Sequence, residues 1–263
     1  MPKTKALFIF MMCVASNVIA APQCPAMIKV AFYDFGLLYS AGKGIDRDVI
    51  DELKQRTGCH FVSTVLPRAR IWKDLESGEI AMSVSGIQNP AREQFAWFAP
   101  YLNIKNISVI SKNLSTTINS FEDFLNTPSL QWGAVRAFKH GETQDQFLTQ
   151  LREQNRLLET ASAEQLFELL KAGRIHGLFS QSPVYGYYIP KLGMPHLISI
   201  HDWAPLEKPV PHGLILSKKH FTASEAEQWK NIIQTMNTDG TMQRILGQYL
   251  THTEVKKTLH NSP

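Results

Sequence analysis

Two cysteines remain in the chain beyond an apolar N-terminal segment, and a thiol pair can form a disulfide or bind a metal. Cys24 precedes the run IKVAF, and Cys59 precedes the run FVSTV. If these runs form neighbouring strands, the two thiols meet at one edge of a sheet and a disulfide follows. Two free thiols are the alternative. A metal site is disfavoured because no further His or Cys stands at zinc-finger spacing.

Two arginines stand where an anion could bind. The segment PRARIW places Arg68 and Arg70 at the start of a helix that follows the FVSTV strand. Helix N-termini and the loops after parallel strands bind ligands in open α/β sheets, so these cations would add positive potential for an acidic ligand. Solvated surface arginines are the alternative.

Residues capable of acid–base catalysis are present but scattered. Glu93, His140 and His176 could each move a proton, yet none forms a pair that is visible in the sequence. The nine histidines show no metal-ligand spacing. The sequence also contains no G-x-S-x-G, no H-E-x-x-H and no glycine-rich phosphate loop. We therefore expect a protein without enzymatic activity, cofactor or metal.

The first twenty residues have the form of a signal peptide. Lys3 and Lys5 supply the positive start, residues 6–14 are apolar, and Val18 and Ala20 are small cleavage-site residues. A membrane anchor is the weaker alternative because the apolar stretch is shorter than the roughly 18 residues that a spanning helix needs. Cleavage near Ala20 would place the mature chain in the periplasm.

The composition limits the partners of this chain. The net charge is +4 at pH 7 and falls by two when the lysines of the signal peptide are removed. A surface with so small an excess of positive charge is not suited to nucleic acid. With 44% hydrophobic and 19% charged residues, the chain is ordinary globular material, long enough for one large domain or two modest ones.

The first half of the chain alternates strands and helices. Residues 28–33, 61–65 and 79–87 read as strands, and residues 45–58 and 70–78 between them read as helices. Each of these helices ends at a glycine, which is typical of a helix C-terminus. This order predicts a parallel sheet with right-handed crossovers.

The second half repeats that order. Strands are predicted at residues 130–135 and 175–180, with helices at residues 143–154 and 162–173 between them. A further strand, HGLILSKK, precedes a helix that opens with a Thr-x-x-Glu capping box, and the polar end of the chain is expected to fray. Two lobes of related design are the simplest interpretation, with the alternating segment YLNIKNISVISKN as an extended crossover.

In its order of segments the mature chain resembles the family 3 extracellular solute-binding proteins, which include the polar amino-acid receptors of ABC transporters. The segments that carry the resemblance are GIDRDVIDELKQRTG, LESGEIAMSVSGIQNPAREQFAWFAPYL, KAGRIHGLFSQSPV, HGLILSKK and NTDGTMQRILGQYL. The resemblance implies an α/β fold of the type II periplasmic binding protein class. Each of its two lobes is a mostly parallel sheet flanked by helices, and two crossover strands join the lobes.

The expected domain division follows this fold. It comprises a signal peptide at 1–20, the first part of lobe 1 at 21–108, lobe 2 with its hinge segments at 109–210, the completion of lobe 1 with C-terminal helices at 211–252, and a flexible tail at 253–263.

The resemblance also implies a carboxylate-binding arginine. In the family, an arginine six residues before the Phe of a Phe-x-x-Tyr stretch binds the ligand carboxylate, and Arg92 stands six residues before Phe98. A guanidinium can make two parallel hydrogen bonds to a carboxylate. Ser85 stands where the family supplies a polar group. Ile87 stands where family members often have Ser or Thr, which leaves only a backbone contact there.

Four further residues are expected to face the ligand by the same resemblance. Phe35 and Tyr39 follow the first strand, where the family offers an aromatic face, although packing in the core is equally compatible with them. Gln181 replaces the Asp that takes the ligand ammonium in amino-acid receptors, and Ala137 and Phe138 stand in place of a Gly-Thr pair. These departures disfavour an ordinary α-amino acid. They suit a carboxylate without the ammonium, or a larger ligand that stacks on Phe138.

The predicted function is that of a periplasmic solute-binding protein. It would capture a small carboxylate-bearing ligand, either an amino acid or a related organic acid, by closure of the lobes, and present it as a monomer to an ABC permease. The alternatives are a receptor that signals to a sensor kinase or chemoreceptor, and a cleft enzyme of the cyclohexadienyl-dehydratase type.

Overall fold

The computed structural model describes residue 22 and residues 24–260, so the predicted signal peptide lies outside the described residues. In chain order the strands are β1 Ile28–Phe32, β2 Phe61–Val65, β3 Met82–Gly86, β4 Ala96–Ile104, β5 Ile107–Ser111, β6 Trp132–Val135, β7 Leu157–Thr160, β8 Gly177–Ser180, β9 Ile198–His201 and β10 Val210–Ser217. The α-helices are α1 Ile45–Thr57, α2 Arg68–Ser77, α3 Pro90–Glu93, α4 Phe121–Leu125, α5 Glu142–Glu153, α6 Ala163–Lys171, α7 Ser182–Lys191, α8 Ala223–Thr238, α9 Thr241–Gly247 and α10 His252–Thr258.

The strands form two five-stranded sheets, and these confirm the predicted two-lobed α/β fold. Lobe 1 has the order β2-β1-β3-β10-β4, and lobe 2 has the order β7-β6-β8-β5-β9. The first three strands of each sheet are parallel, and β10 or β5 runs antiparallel to both of its neighbours. Four strands of each sheet therefore share one direction.

Local sequence explains where the helices begin and end. Helix α1 ends at Gly58, which has a φ of 69° and satisfies a helix carbonyl with its N–H. Helix α8 begins with a capping box in which Thr222 and Glu225 each bind the backbone of the other. Its Trp229 and Met236 are fully buried, so an apolar stripe docks this helix on lobe 1.

The chain passes between the lobes twice. The short link from β4 to β5 runs in one direction, and the longer link from β9 to β10 returns. Lys105 in the first link and Asp202 in the second form an ion pair of 2.6 Å. This contact ties the two crossover segments to each other.

The predicted disulfide is present between Cys24 and Cys59, whose Cα atoms lie 5.4 Å apart. It forms because β1 pairs in parallel with β2, with Ile28 opposite Phe61. Both cysteines lie before the amino ends of their strands, on the opposite edge of the sheet from the carboxyl ends.

The end of the chain differs from the predicted flexible tail. Helix α10 spans His252–Thr258 and opens with a capping box of Thr251 and Glu254. Val255 is buried, and Leu259 forms a β-bridge with Leu102 of strand β4. Two apolar residues at helical spacing are therefore enough to dock this polar segment on lobe 1. Among the described residues, no helix has the length and apolar character of a membrane span.

Candidate ligand-binding site

The carboxyl ends of the parallel strands in the two lobes face each other across a closed cleft. The loop after β1 touches the start of α7, where the Leu37 N–H donates to the Pro183 carbonyl at 3.0 Å. The hydroxyls of Ser40 and Tyr187 are also 3.0 Å apart. Gly36 lies so near lobe 2 that a Cβ there would be only 2.7 Å from the Pro183 oxygen.

Arg92 reaches across this cleft. Helix α3 begins at Asn89, whose side chain accepts a hydrogen bond from the Arg92 N–H, and this cap directs the arginine inward. One guanidinium nitrogen donates to the Ile87 carbonyl at 2.8 Å, and the other donates to the Ala137 carbonyl of lobe 2 at 2.9 Å. The residue is only 8% exposed. Burial first, and then the nearby Arg68 cation, lowers the Arg92 pKa to about 9.

A second guanidinium lies beside it. Arg68 is 2% exposed and donates to the carbonyls of Val84 and Ser85 at 3.3 and 3.1 Å, while its Nε has no partner among the described residues. Its guanidinium carbon lies 4.4 Å from the ring centre of Tyr33 and 4.6 Å from that of Trp72.

Trp72 joins the two arginines into one cluster. The Arg92 guanidinium lies 3.8 Å from the ring centre of Trp72, so both cations contact the same indole. Burial lowers the pKa of Arg68 from its ordinary value, with Tyr33 and Asp46 acting in the opposite direction. Among the described residues, neither guanidinium forms an ion pair with a carboxylate.

Ser85 and Ile87 each form a hydrogen bond with another residue of lobe 1. The Ser85 hydroxyl donates to Asp46, whose carboxylate also accepts from the Tyr101 hydroxyl at 2.6 Å. Burial raises the pKa of Asp46 to about 7, against these hydrogen bonds and the charge of Arg68. Ser85 is thus engaged below the cleft, and Ile87 acts through its carbonyl on Arg92.

The lobe 2 wall carries a neutral polar group where Gln181 precedes α7. Its Nε2 donates to the Asn106 side-chain oxygen at 3.2 Å and lies 2.9 Å from His212 Nε2. His212 Nδ1 lies 2.8 Å from the Val210 carbonyl, an acceptor, so Nδ1 carries the proton and Nε2 accepts. This assignment leaves Gln181 Oε1 without a partner among the described residues.

Aromatic side chains fill the space between the two walls. Phe35 of lobe 1 packs on Phe138 of lobe 2 with ring centres 5.1 Å apart, and Phe138 packs on His140 at 4.9 Å. A residual cavity of about 10 Å³ lies here, surrounded mainly by apolar side chains. It adjoins a cavity of about 210 Å³ that is lined by Tyr33, Phe35 and Arg68.

Two of the predicted residues lie away from this space. Arg70 is 62% exposed in its side chain and pairs with Asp74 at 2.6 Å. It stands two residues after Arg68 on α2, and residues two apart on a helix point in different directions. Tyr39 is buried and stacks on Phe32 with ring centres 4.5 Å apart, which is a packing role in the core of lobe 1.

Four residues of the cleft had no role in the sequence interpretation. Tyr33 and Trp72 hold the arginines, while Asn106 and His212 hold Gln181. Trp72 directly follows PRARI, so aromatic stacking with the arginines was a usable signal. Asn106 lies on the link from β4 to β5 and His212 lies on strand β10, and no local pattern marks them.

The candidate catalytic residues do not come together. His140 lies in the cleft, where burial lowers its pKa. Glu93 lines an outer groove of lobe 1 beside β4 and α8, and His176 accepts a hydrogen bond from the Gln131 N–H at 3.0 Å. No group of three or more potential metal ligands was found in the described part of the chain.

Comparison with known proteins was made by sequence and by structure. The family model for bacterial extracellular solute-binding proteins, family 3, matches residues 30–252. Among solved structures, an ancestral arginine-binding protein bound to arginine superimposes with a TM-score of 0.72 at 18% identity, covering 87% of this chain and 100% of that chain.

Two further structures are similar. The amino acid ABC transporter substrate-binding protein AbpA from Streptococcus pneumoniae, bound to L-arginine, gives a TM-score of 0.69 at 17% identity and covers 88% of this chain and 96% of its own. The ancestral amino acid-binding protein AncCDT-1, a precursor of cyclohexadienyl dehydratase, gives a TM-score of 0.69 at 20% identity and covers 86% of this chain and 96% of its own. A search of curated protein sequences found no match. At these identities the structural likeness shows the fold alone.

Proposed function

This chain belongs to the bacterial extracellular solute-binding proteins, family 3, and we propose that it captures a small carboxylate-bearing ligand by lobe closure and presents it to an ABC transporter. The ligand would lie between the lobes, with its carboxylate on the arginine cluster of Arg68 and Arg92. The mature chain would act in the periplasm after removal of the signal peptide predicted at 1–20.

The observation that carries this proposal is the pair of buried guanidiniums around Trp72. A guanidinium has five N–H donors, and the described partners of Arg68 and Arg92 are two carbonyl oxygens each. Burying a cation without a counter-ion costs roughly several kcal/mol even after the protein relaxes. An anionic ligand would recover part of that cost, and a carboxylate matches the planar guanidinium with two parallel hydrogen bonds.

The same contact explains how binding would favour the closed state. Arg92 belongs to lobe 1 but donates to the Ala137 carbonyl of lobe 2. A carboxylate held by this arginine would therefore lie where the two lobes meet, within reach of both. A ligand that contacts both lobes shifts the population toward closure, and a partner protein can recognise the closed surface.

Transport is favoured as the output over signalling. A solved structure with the same fold is described as the substrate-binding protein of an amino acid ABC transporter. Deleting the gene should abolish uptake of the radiolabelled ligand by intact cells if the protein serves a transporter. Normal uptake combined with a lost chemotactic or transcriptional response would instead support the sensing alternative.

Binding without turnover is part of the proposal. His140 is the one catalytic candidate of the three that lines the described cleft, and it is buried, with a lowered pKa. The imidazole pairs with Asp145 at 3.7 Å, and the small cavity that it lines contains no other acid or base among the described residues. Dehydration of a cyclic acid would need one group to take a proton and a second to protonate the leaving group. After incubation of the protein with prephenate or with an acid that it binds, mass spectrometry should detect the compound unchanged. A dehydrated product would refute binding without turnover.

A thermal-shift screen tests the function directly. Amino acids, dicarboxylates and aromatic acids would be added singly to the purified mature protein, because a ligand that binds only the native state raises the Tm. We expect at least one carboxylic acid to raise the Tm in a concentration-dependent way. A rise in Tm with neutral sugars, or with cations that lack a carboxylate, but with no acid would contradict the proposal.

A further inference from the structure

The charges inside the cleft do not balance. Arg68 and Arg92 contribute two buried cations, whereas the buried carboxylate nearest to them in the core of lobe 1, Asp46, accepts hydrogen bonds from Ser85 and Tyr101 and lines none of the cleft cavities. A ligand carboxylate would reduce this imbalance. A ligand ammonium would add a third cation to the same enclosed space.

The carboxylates at the margins of the cleft do not offer a site for an ammonium. Asp34 and Glu142 line the outer parts of the cavities but are exposed to solvent. Asp145 accepts a hydrogen bond from the His140 N–H at 3.1 Å and lies 3.5 Å from the Lys139 ammonium. These charges are hydrated or already compensated.

The lobe 2 wall presents a neutral acceptor in place of an anion. Both described hydrogen bonds of Gln181 use its Nε2, so Oε1 is the atom that remains for a ligand. His212 holds this orientation because its Nδ1–H is committed to the Val210 carbonyl and its Nε2 must accept. An amide oxygen can accept one hydrogen bond but cannot neutralise a charge.

Burial and the arginines also act on this wall. Burial lowers the pKa of His212 to about 4, and the positive charges of Arg68 and Arg92 act in the same direction. His212 lies 2.9 Å from the Gln181 side chain, so a ligand ammonium bound at Gln181 would meet the same burial and the same positive charges.

The walls of the cleft offer an apolar surface to a ligand body. The small cavity between them, about 10 Å³, is lined by Phe35, Phe138, Leu166, Phe179 and Val184, beside the polar Gln181. A ligand larger than roughly one water would enter it only when Phe35 and Phe138 move apart. The cavity with Arg68 on its wall adjoins this space through Phe35. One molecule could therefore place an anionic end on the arginines and an apolar end on the aromatic rings.

From these contacts we infer that the ligand is an organic acid with an apolar body and no ammonium group. This inference rests on the proposed function and narrows it. The carboxylate contacts Arg92 and Arg68, the body packs on Phe35 and Phe138, and Gln181 Oε1 accepts at most a neutral donor of the ligand.

Matched pairs of acids that differ only in the α-amino group test the inference. The mature protein would be titrated with 3-phenylpropanoate and phenylalanine, with 4-methylpentanoate and leucine, and with glutarate and glutamate, using calorimetry and the shift in Tm. We expect the acid without the amino group to bind at least about tenfold more tightly within a pair, and the apolar acids to bind more tightly than glutarate.

The outcomes distinguish a failure of the inference from a failure of the proposed function. Equal or tighter binding of the amino acids would overturn the inference and leave a carboxylate-binding protein in place. If none of the six compounds bound, the inference would fail, whereas the proposed capture of a small carboxylate would fail only if no acid of the wider screen raised the Tm. The variant Arg92→Met should lose the binding of the preferred acid, and binding that persisted would show that Arg92 does not hold its carboxylate, which also overturns the inference.

Discussion

Replacing Arg92 with methionine should remove ligand binding while leaving the lobes folded. The pKa of this guanidinium is lowered from its ordinary value to about 9, first by burial and then by Arg68. That difference corresponds to about 5 kcal/mol against the charged form in the unliganded protein. Methionine carries no charge and can pack on Trp72, so the variant avoids this cost.

The same change should weaken binding strongly. Truncating one partner of a buried, hydrogen-bonded charge pair costs about 2–5 kcal/mol, or about 30-fold to several-thousand-fold in Kd. The unliganded variant loses the hydrogen bonds to the Ile87 and Ala137 carbonyls, and a hydrogen bond from a charged donor contributes about 1.5–3 kcal/mol. Because the loss of both is about as large as the desolvation that is relieved, we expect its Tm without ligand to stay about level.

Calorimetric titration and thermal melts of the wild type, Arg92→Met and Arg70→Met check both parts of this prediction. Arg70→Met is the matched control, since it removes the same charge from an exposed position that pairs with Asp74, and its Kd should match the wild type. An Arg92→Met protein with a Kd within threefold of the wild type would refute the reasoning. A large fall in its Tm without ligand would refute the claim that the desolvation of the arginine offsets its hydrogen bonds when no anion is bound.

Three further predictions concern stability and closure. Because the pKa of His212 in the folded protein, about 4, lies below its ordinary 6.5, the unfolded chain takes up the proton first as pH falls. Urea titrations should show the wild type losing about 3 kcal/mol relative to His212→Gln between pH 6.5 and 4. Replacing Cys24 and Cys59 together with serine should cost about 2–4 kcal/mol in guanidinium denaturation, with binding unchanged because the bond lies at the amino ends of the strands. Gly36→Ala should weaken binding at least about tenfold in calorimetry, since its Cβ would meet the opposite lobe.

Each of these has an outcome that would contradict it. Parallel stability profiles of the wild type and His212→Gln across the pH range would show that this imidazole is not buried in its neutral form. Much weaker ligand binding by the disulfide-free variant would show that the strand edge that carries Cys24 and Cys59 affects the cleft. The control for closure is Gly42→Ala. Gly42 also has a positive φ, of 82°, but there is open space at its Cβ position. Equal effects of the two glycine variants on binding would exclude steric hindrance of closure.

Much of the fold was predictable because its determinants are local. Glycines such as Gly58 and Gly78 end helices in the left-handed conformation, and the apolar runs after them form the strands. The disulfide followed from the pairing of β1 with β2. Helix α10 was missed because its segment is polar overall, although Thr251 and Glu254 stand at capping-box spacing in the sequence.

The cleft was less predictable because its contacts cross the chain. The sequence could not decide between Arg68 and Arg70, since only the orientation of α2 turns the first inward and the second to solvent. Gln181 was recognised as a departure from an acidic residue, but its orientation depends on Asn106 of the β4–β5 link and on His212 of strand β10. Such placements arise from the docking of whole lobes, and no spacing along the chain encodes them.

A crystal structure of the mature protein with the acid that most raises its Tm tests the central claim most directly. We predict that the acid lies between the lobes, with carboxylate oxygens within hydrogen-bond distance of the Arg92 guanidinium and its body against Phe35 and Phe138. An acid bound outside the cleft, with Arg92 still held only by the Ile87 and Ala137 carbonyls, would contradict the account.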